Sequence, residues 1–194
     1  MKKKILWIIP VIVLVVFLGM SAKVIDKGTE GLYTGEVTFN ADASSSDDWG
    51  AIVSEITQKA EDAATADLSN TGDGVAVALQ GTIEEFISKA SGKKNSIRVV
   101  PAGYSGTKTF EVQLGSIYSG TCVRDVQSVK SFGDFTNQTE WSQYAKALNS
   151  ELHETVVVPL AIDENSAGKQ IELVGVAVAS GDEVVITPVQ ISIQ

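Results

Sequence analysis

Three lysines at positions 2 to 4 stand directly ahead of eighteen residues, Ile5 to Ala22, without a charged side chain. As a helix, such a run measures about 27 Å, near the lower limit for crossing a hydrocarbon core of about 30 Å. Residues 1–27 therefore separate from the rest as a membrane-directed segment, and 28–194 remain to fold as a single domain. The lysines hold the N-terminal end in the cytoplasm, which puts that domain on the extracytoplasmic side. A secretory signal peptide is the competing reading, because its apolar region is shorter and ends in small residues. Gly19, Met20, Ser21 and Ala22 form a poor cleavage site. The expectation is a retained single-pass anchor, with Pro10 accommodated inside it.

The exported part holds ten basic and twenty-three acidic residues, a formal charge of −13. Phosphate backbones repel such a surface, and no basic stripe with interleaved aromatics is present, so no nucleic-acid partner is expected. A domain of this length buries enough surface to stand without disulfides or metal. The single cysteine, Cys122, has no internal partner to bridge.

Local patterning predicts an N-terminal strand and helices over 28–96 and a barrel over 97–194. Residues 31–39 read as a short strand. The apolar positions Trp49, Ile52, Val53, Ile56 and Ala60 repeat at helical spacing, with cap oxygens offered by Ser44 to Asp48. Val75 to Leu79 suits a strand. Thr82 and Glu85 have capping-box spacing ahead of Ile83, Phe86, Ile87 and Ala90, which predicts a helix ended by Gly92. Beyond it, Ile97 to Ala102, Thr107 to Leu114 and Ile117 to Val126 read as strands. Asn137 and Glu140 box the start of a helix whose Trp141, Tyr144, Leu148 and Leu152 form one stripe. Lys169 to Ala179 and Glu183 to Gln194 read as two strands joined at Ser180, Gly181 and Asp182. Pro188 lacks an N–H, which places it at an edge or a bulge. Strand, strand, strand, helix, strand, strand is the order of the five-stranded Greek-key barrel called the OB-fold. The expected class is α+β, mainly β, with an open α+β sheet as the alternative.

Catalytic and metal chemistry is thinly represented. With one histidine and one cysteine there is no zinc set, and a Ser-His-Asp triad would require His153, which falls at the margin of its helix's apolar stripe. Cys122 reads as a small buried side chain on a strand. Asp67, Asn70 and Asp73 stand three apart, whereas calcium loops alternate their ligands. No phosphate-cradling or dinucleotide-binding glycine pattern occurs. No catalytic residue, metal or cofactor is expected.

Two stretches are more distinctive. Gly120-Thr121-Cys122-Val123-Arg124-Asp125 and Phe132-Gly133-Asp134-Phe135-Thr136-Asn137-Gln138-Thr139-Glu140-Trp141, followed by Ala147-Leu148-Asn149, resemble a bacterial family of predicted periplasmic lipoproteins. Members of that family are often encoded beside ribose-type sugar ABC transporters. Such proteins usually carry a lipobox cysteine at the end of the signal. Leu18-Gly19-Met20-Ser21 offers none, so an uncleaved helix in the bacterial cell membrane is left to do the anchoring. The resemblance implies a non-enzymatic, membrane-anchored accessory protein that works with a sugar-uptake system as a ligand- or partner-binding module. A general cell-envelope scaffold without a small ligand is the alternative. The family supplies no catalytic residue. From the residues themselves, Arg124 needs a carboxylate, with Asp125 and Asp134 nearest in sequence. Asn137 and Gln138 start a helix where free N–H groups stand available. These five residues are the candidate ligand or partner site, and the other reading is that they only lock the crossover into the helix.

Overall fold

The computed structural model describes residues 39–194. The membrane segment at 1–27 and the strand expected at 31–39, apart from its last residue, lie outside them.

Helix α1 spans Ala41–Lys59, and Asn40 caps it by accepting from the Ala43 N–H at 3.1 Å. It starts eight residues before the expected Trp49. Asn40 supplies the cap oxygen, and Ser45 turns inward with its hydroxyl on the Asp42 carbonyl. Ile52 and Ile56 are wholly buried along it. A two-residue strand β1, Glu61–Asp62, then runs parallel to β2, Val75–Ile87.

Strand β2 replaces the helix expected from Thr82. From Val77 to Ile83 its buried residues Val77, Leu79, Gly81 and Ile83 alternate, as a pleat demands. A bulge then inserts Glu84, because Ile83 pairs with Val99 while Glu85 pairs with Arg98. That one extra residue sets Ile83, Phe86 and Ile87 at spacings of three and four, which imitates a helix in the sequence.

The other strands are β3 (Ser96–Pro101), β4 (Thr109–Gln113), β5 (Gln170–Ser180) and β6 (Glu183–Ile193). They close a barrel in the order β2, β3, β4, β6, β5 and back to β2. Only β4 and β6 run parallel within it. The barrel thus takes its first strand from before residue 97. The segment expected as a strand over 117–126 is instead a turn followed by the short helix α2, Cys122–Val126. Both edges of β4 are taken by β3 and β6, so a closed barrel offers that segment no ladder to join. Two errors of opposite sign leave the number of barrel strands at five.

Ile83, Val99, Phe110 and Val184 stand in register across four strands, and none is more than 2% exposed. Ile97, Val112 and Ile186 form a second such layer, each fully buried. Pro188 lies opposite Gly175 at a bulge that leaves Val189 extra, which removes the need for its missing N–H.

Helix α3, Gln138–Leu152, follows the expected stripe, with Tyr144, Leu148 and Leu152 completely buried. It packs chiefly on α1, and α1 in turn touches β2, β5 and β6. The stripe therefore meets another helix rather than capping the barrel directly. With α1 and α3 at 19 and 15 residues, the fold is more helical than the mainly-β reading anticipated. Tyr144 donates its hydroxyl to Asp48 at 2.9 Å across the pair.

Glu55 on α1 accepts from the Ser128 N–H and hydroxyl and from Lys59. Burial pushes its carboxyl up, but these bonds draw it down further, to about 2 from a usual 4.5. A depressed carboxylate stabilises the fold above its unfolded value, and that contribution fades as pH falls from 4.5 towards 2. Thermal melts across that window should show a shallower acid decline for Glu55→Gln than for the natural protein. Parallel curves would mean that Glu55 has the same affinity for protons folded and unfolded.

Candidate functional site

Gly120, with φ of +91°, ends the turn after β4 just ahead of Thr121, the N-cap of α2. Cys122 and Val123 point inward, 7% and 1% exposed. The Cys122 thiol lies 3.3 Å from the Thr187 hydroxyl, and burial holds its pKa above the usual thiol value. Cys122 is buried as expected, but on a helix rather than a strand.

One residue on, Arg124 folds back over the helix. Its Nε and Nη2 both donate to Asp125 Oδ1, at 2.8 and 2.6 Å. Nη2 also reaches Thr121 Oγ1 at 3.2 Å, and Nη1 the Trp141 carbonyl at 3.4 Å. Thr121 in turn donates to the other Asp125 oxygen at 2.6 Å. The guanidinium carbon stands 4.4 Å from the centre of the Trp141 ring, a stacking that adds a cation–π attraction. Both side chains are largely buried, 14% and 22% exposed. Among the described residues the carboxylate partner of Arg124 is Asp125 alone.

Asp134 belongs elsewhere. It accepts from the Ser131 N–H and hydroxyl, which hold its carboxyl below the usual range, and it is exposed. Asn137 caps α3 by accepting from the Glu140 N–H at 3.0 Å. Gln138 opens that helix, exposed, with no side-chain hydrogen bond among the described residues. The structure thus brings Arg124 and Asp125 together and leaves Asp134, Asn137 and Gln138 on the nearby surface. Between the two groups, Phe135 and Phe132 flank the Trp141 ring at 5.0 and 6.4 Å, and Phe132 stays 51% exposed. Asn149, further along α3, ties the Gly120 carbonyl at 3.3 Å. The two distinctive stretches of the sequence and the Asn149 that follows them therefore meet in space.

Thr121 and Asp125 also form one wall of a cleft of about 310 Å³. Its floor is the outer face of the barrel at Gln113, Val185 and Thr187, and Asp73 and Ser180 stand at its rim. Gln113 and Thr187 are 9% and 2% exposed and joined by a 2.9 Å bond, while Gln113 Oε1 accepts from the Ser119 N–H at 2.7 Å. Along β4, Gln113 falls on the face opposite Phe110 and Val112, which would meet solvent on an uncovered strand. It is buried because residues 114–126 fold over that side, and no local signal marks such a cover. The cleft sets hydroxyls, an amide and two carboxylates in a mainly apolar lining that includes Val178 and Val185, and its neighbouring cation, Arg124, is already neutralised. Such a surface suits a small, neutral molecule rich in hydroxyl groups.

His153, at the end of α3, lies at the margin as expected, its ring 6.2 Å from that of Tyr118. Among the described residues, no three His, Cys, Asp or Glu side chains are grouped to hold a metal ion. No helix among them is long and apolar enough to cross a membrane.

Residues 68–192 match the model of a family described as "Predicted periplasmic lipoprotein (DUF2291)". The barrel is similar to the crystal structure of an OB-fold protein from Thermotoga maritima, with a TM-score of 0.54 at 15% identity, over 81% of this chain and 100% of that one. At that identity the likeness concerns the fold. No curated protein sequence matches the chain.

Proposed function

Because this chain belongs to the family of predicted periplasmic lipoproteins, we propose that it is a membrane-tethered extracytoplasmic accessory protein of an ABC-type sugar-uptake system. In this reading it is not an enzyme, and it binds a neutral, hydroxyl-rich ligand in the cleft beside Asp125. The reading rests on the lining of that cleft. Sugars are held by acceptors and donors set at fixed positions, and Asp125 is fixed by Arg124 and Thr121 while Gln113 is fixed by Thr187 and Ser119. The volume of about 310 Å³ sits at the small end of ligand sites, which run from roughly 300 to 1,000 Å³. The domain's charge of −13 disfavours anions.

A second reading has one observation in its favour. Phe132 is half exposed against Trp141, an aromatic pair of the kind that anchors protein interfaces. It would make the module a dock for the transporter or for another envelope protein.

Titration calorimetry with D-ribose and D-glucose separates the two. In the first reading a sugar binds, and Asp73→Ala weakens it about tenfold without lowering the melting temperature, because Asp73 is exposed at the rim. Phe132→Ala and Gln138→Ala leave that binding unchanged. If no sugar binds, and if these two substitutions instead abolish crosslinking to a permease in cells, the docking reading replaces the first.

A further inference from the structure

The loop before β3 departs from ordinary backbone geometry. Ala90, Ser91 and Gly92 in succession take φ of +51°, +53° and +86°. Left-handed backbone at two non-glycine residues persists only where its surroundings over-determine it. Here Ile117 N–H donates to the Lys93 carbonyl at 2.9 Å and Leu114 N–H to the Asn95 carbonyl at 2.8 Å. Gly115 lies so close that a Cβ there would stand 2.3 Å from the Lys93 oxygen. The loop is pinned rather than loose.

So held, it frames a second cavity of about 180 Å³ on the outer face of β3, β4 and β6. Two buried polar atoms in its wall, Asn95 Oδ1 and Ser96 Oγ, make no hydrogen bond of ordinary geometry among the described residues. Ser96 is 2% exposed. It lies near enough to Glu111 to help Lys89 hold that carboxyl low against the effect of burial, yet it makes no hydrogen bond of ordinary geometry. Folded proteins leave few buried polar atoms unmatched, so each one asks for an occupant.

The chemistry of the cavity narrows that occupant. Lys89 is paired with Glu111 at 2.8 Å, and Lys94 and Glu183 line the same space, so the charges balance and favour a neutral molecule. An orphan amide oxygen needs a donor, which a hydroxyl supplies. Ile117, 46% exposed, and Val185 offer an apolar surface to C–H groups. Gln113, Ser119 and Val185 line both this cavity and the cleft beside Asp125, so the two lie side by side on the outer face of the barrel.

We propose that this cavity is a second subsite, taking the next unit of a neutral polyhydroxylated ligand whose first unit occupies the cleft beside Asp125. This rests on the ligand reading given above. The second unit donates hydroxyls to Asn95 Oδ1 and Ser96 Oγ and lays its C–H face on Ile117. The ligand is then longer than a single ring.

Calorimetry on the full-length protein with D-glucose, maltose and sucrose tests the proposal. A disaccharide should bind at least tenfold tighter than glucose. Asn95→Ala and Ser96→Ala should each remove that preference while leaving glucose binding within about twofold, and Asn95→Ala should leave the melting temperature unchanged or higher, because the oxygen it deletes had no partner among the described residues. Equal affinity for one and two rings, or equal loss for both in the variants, overturns the second subsite and leaves the cleft intact. Failure of all three sugars to bind overturns both.

Discussion

Gly81→Ala should lower the melting temperature of the domain by about 6 to 12 °C. Gly81 lies where β2 is paired on both sides as it passes from one partner to the other, with Ile171 on β5 and with Pro101 on β3. Closing five strands into a barrel requires this strand to bend, and the backbones come together at the bend. A Cβ on Gly81 would stand 2.4 Å from the Val100 carbonyl oxygen and 3.0 Å from the Val99 side chain. The oxygen belongs to the ladder and has no rotamer to escape into, so the ladder itself must shift. The cost is about 3 kcal/mol, at the upper end for overpacking. In a domain of this size each kcal/mol corresponds to about 2 to 4 °C. Gly50→Ala makes the useful contrast, because it sits exposed within α1 with nothing within 4 Å of its would-be Cβ. There the same change should stabilise by about 0.5 to 1 kcal/mol through helix propensity. A Gly81→Ala protein that melts with the natural one would mean that β2 does not bend through that register.

Asp125→Ala should destabilise by about 3 kcal/mol, and the double change Arg124→Leu with Asp125→Ala by less. The single change leaves the guanidinium largely buried with only Thr121, the Trp141 carbonyl and the Trp141 ring around it. Removing one member of a buried pair costs several kcal/mol because the remaining charge is uncompensated. Replacing both members by apolar atoms of similar volume is often nearly neutral. Denaturant unfolding of the two single variants and the double gives the coupling directly. Equal or additive losses would place the pair among exposed ion pairs, worth about 1 kcal/mol or less. Tryptophan emission offers an independent check, since Arg124 stacks on Trp141.

The regions the sequence made legible share a physical character. Helix α3 was readable because its stripe, its cap at Asn137 and its length agree with one another. The final hairpin was readable because two alternating runs meet at Ser180, Gly181 and Asp182, and the strands pair in that register up to the bulge. The need of Arg124 for a carboxylate followed from charge burial alone. Its choice of Asp125 over Asp134 did not, because Ser131 captures Asp134 in a local cap that competes with the longer contact.

Hydrophobic period, capping residues and charge were thus sufficient to determine helix α3, the final hairpin and the acidic character of the domain, since each depends on residues a few positions apart or on composition alone. Tertiary structure alone decided that the barrel begins at Val75, because a bulge at Glu84 hides strand alternation behind helical spacing. It also decided that residues 117–126 form no strand, because hydrogen-bonding edges in a closed barrel are finite and β4 has none to spare. The cleft belongs to the same class. Gln113 and Thr187 are 74 residues apart, and their burial depends on a segment that folds over the barrel only after the barrel exists.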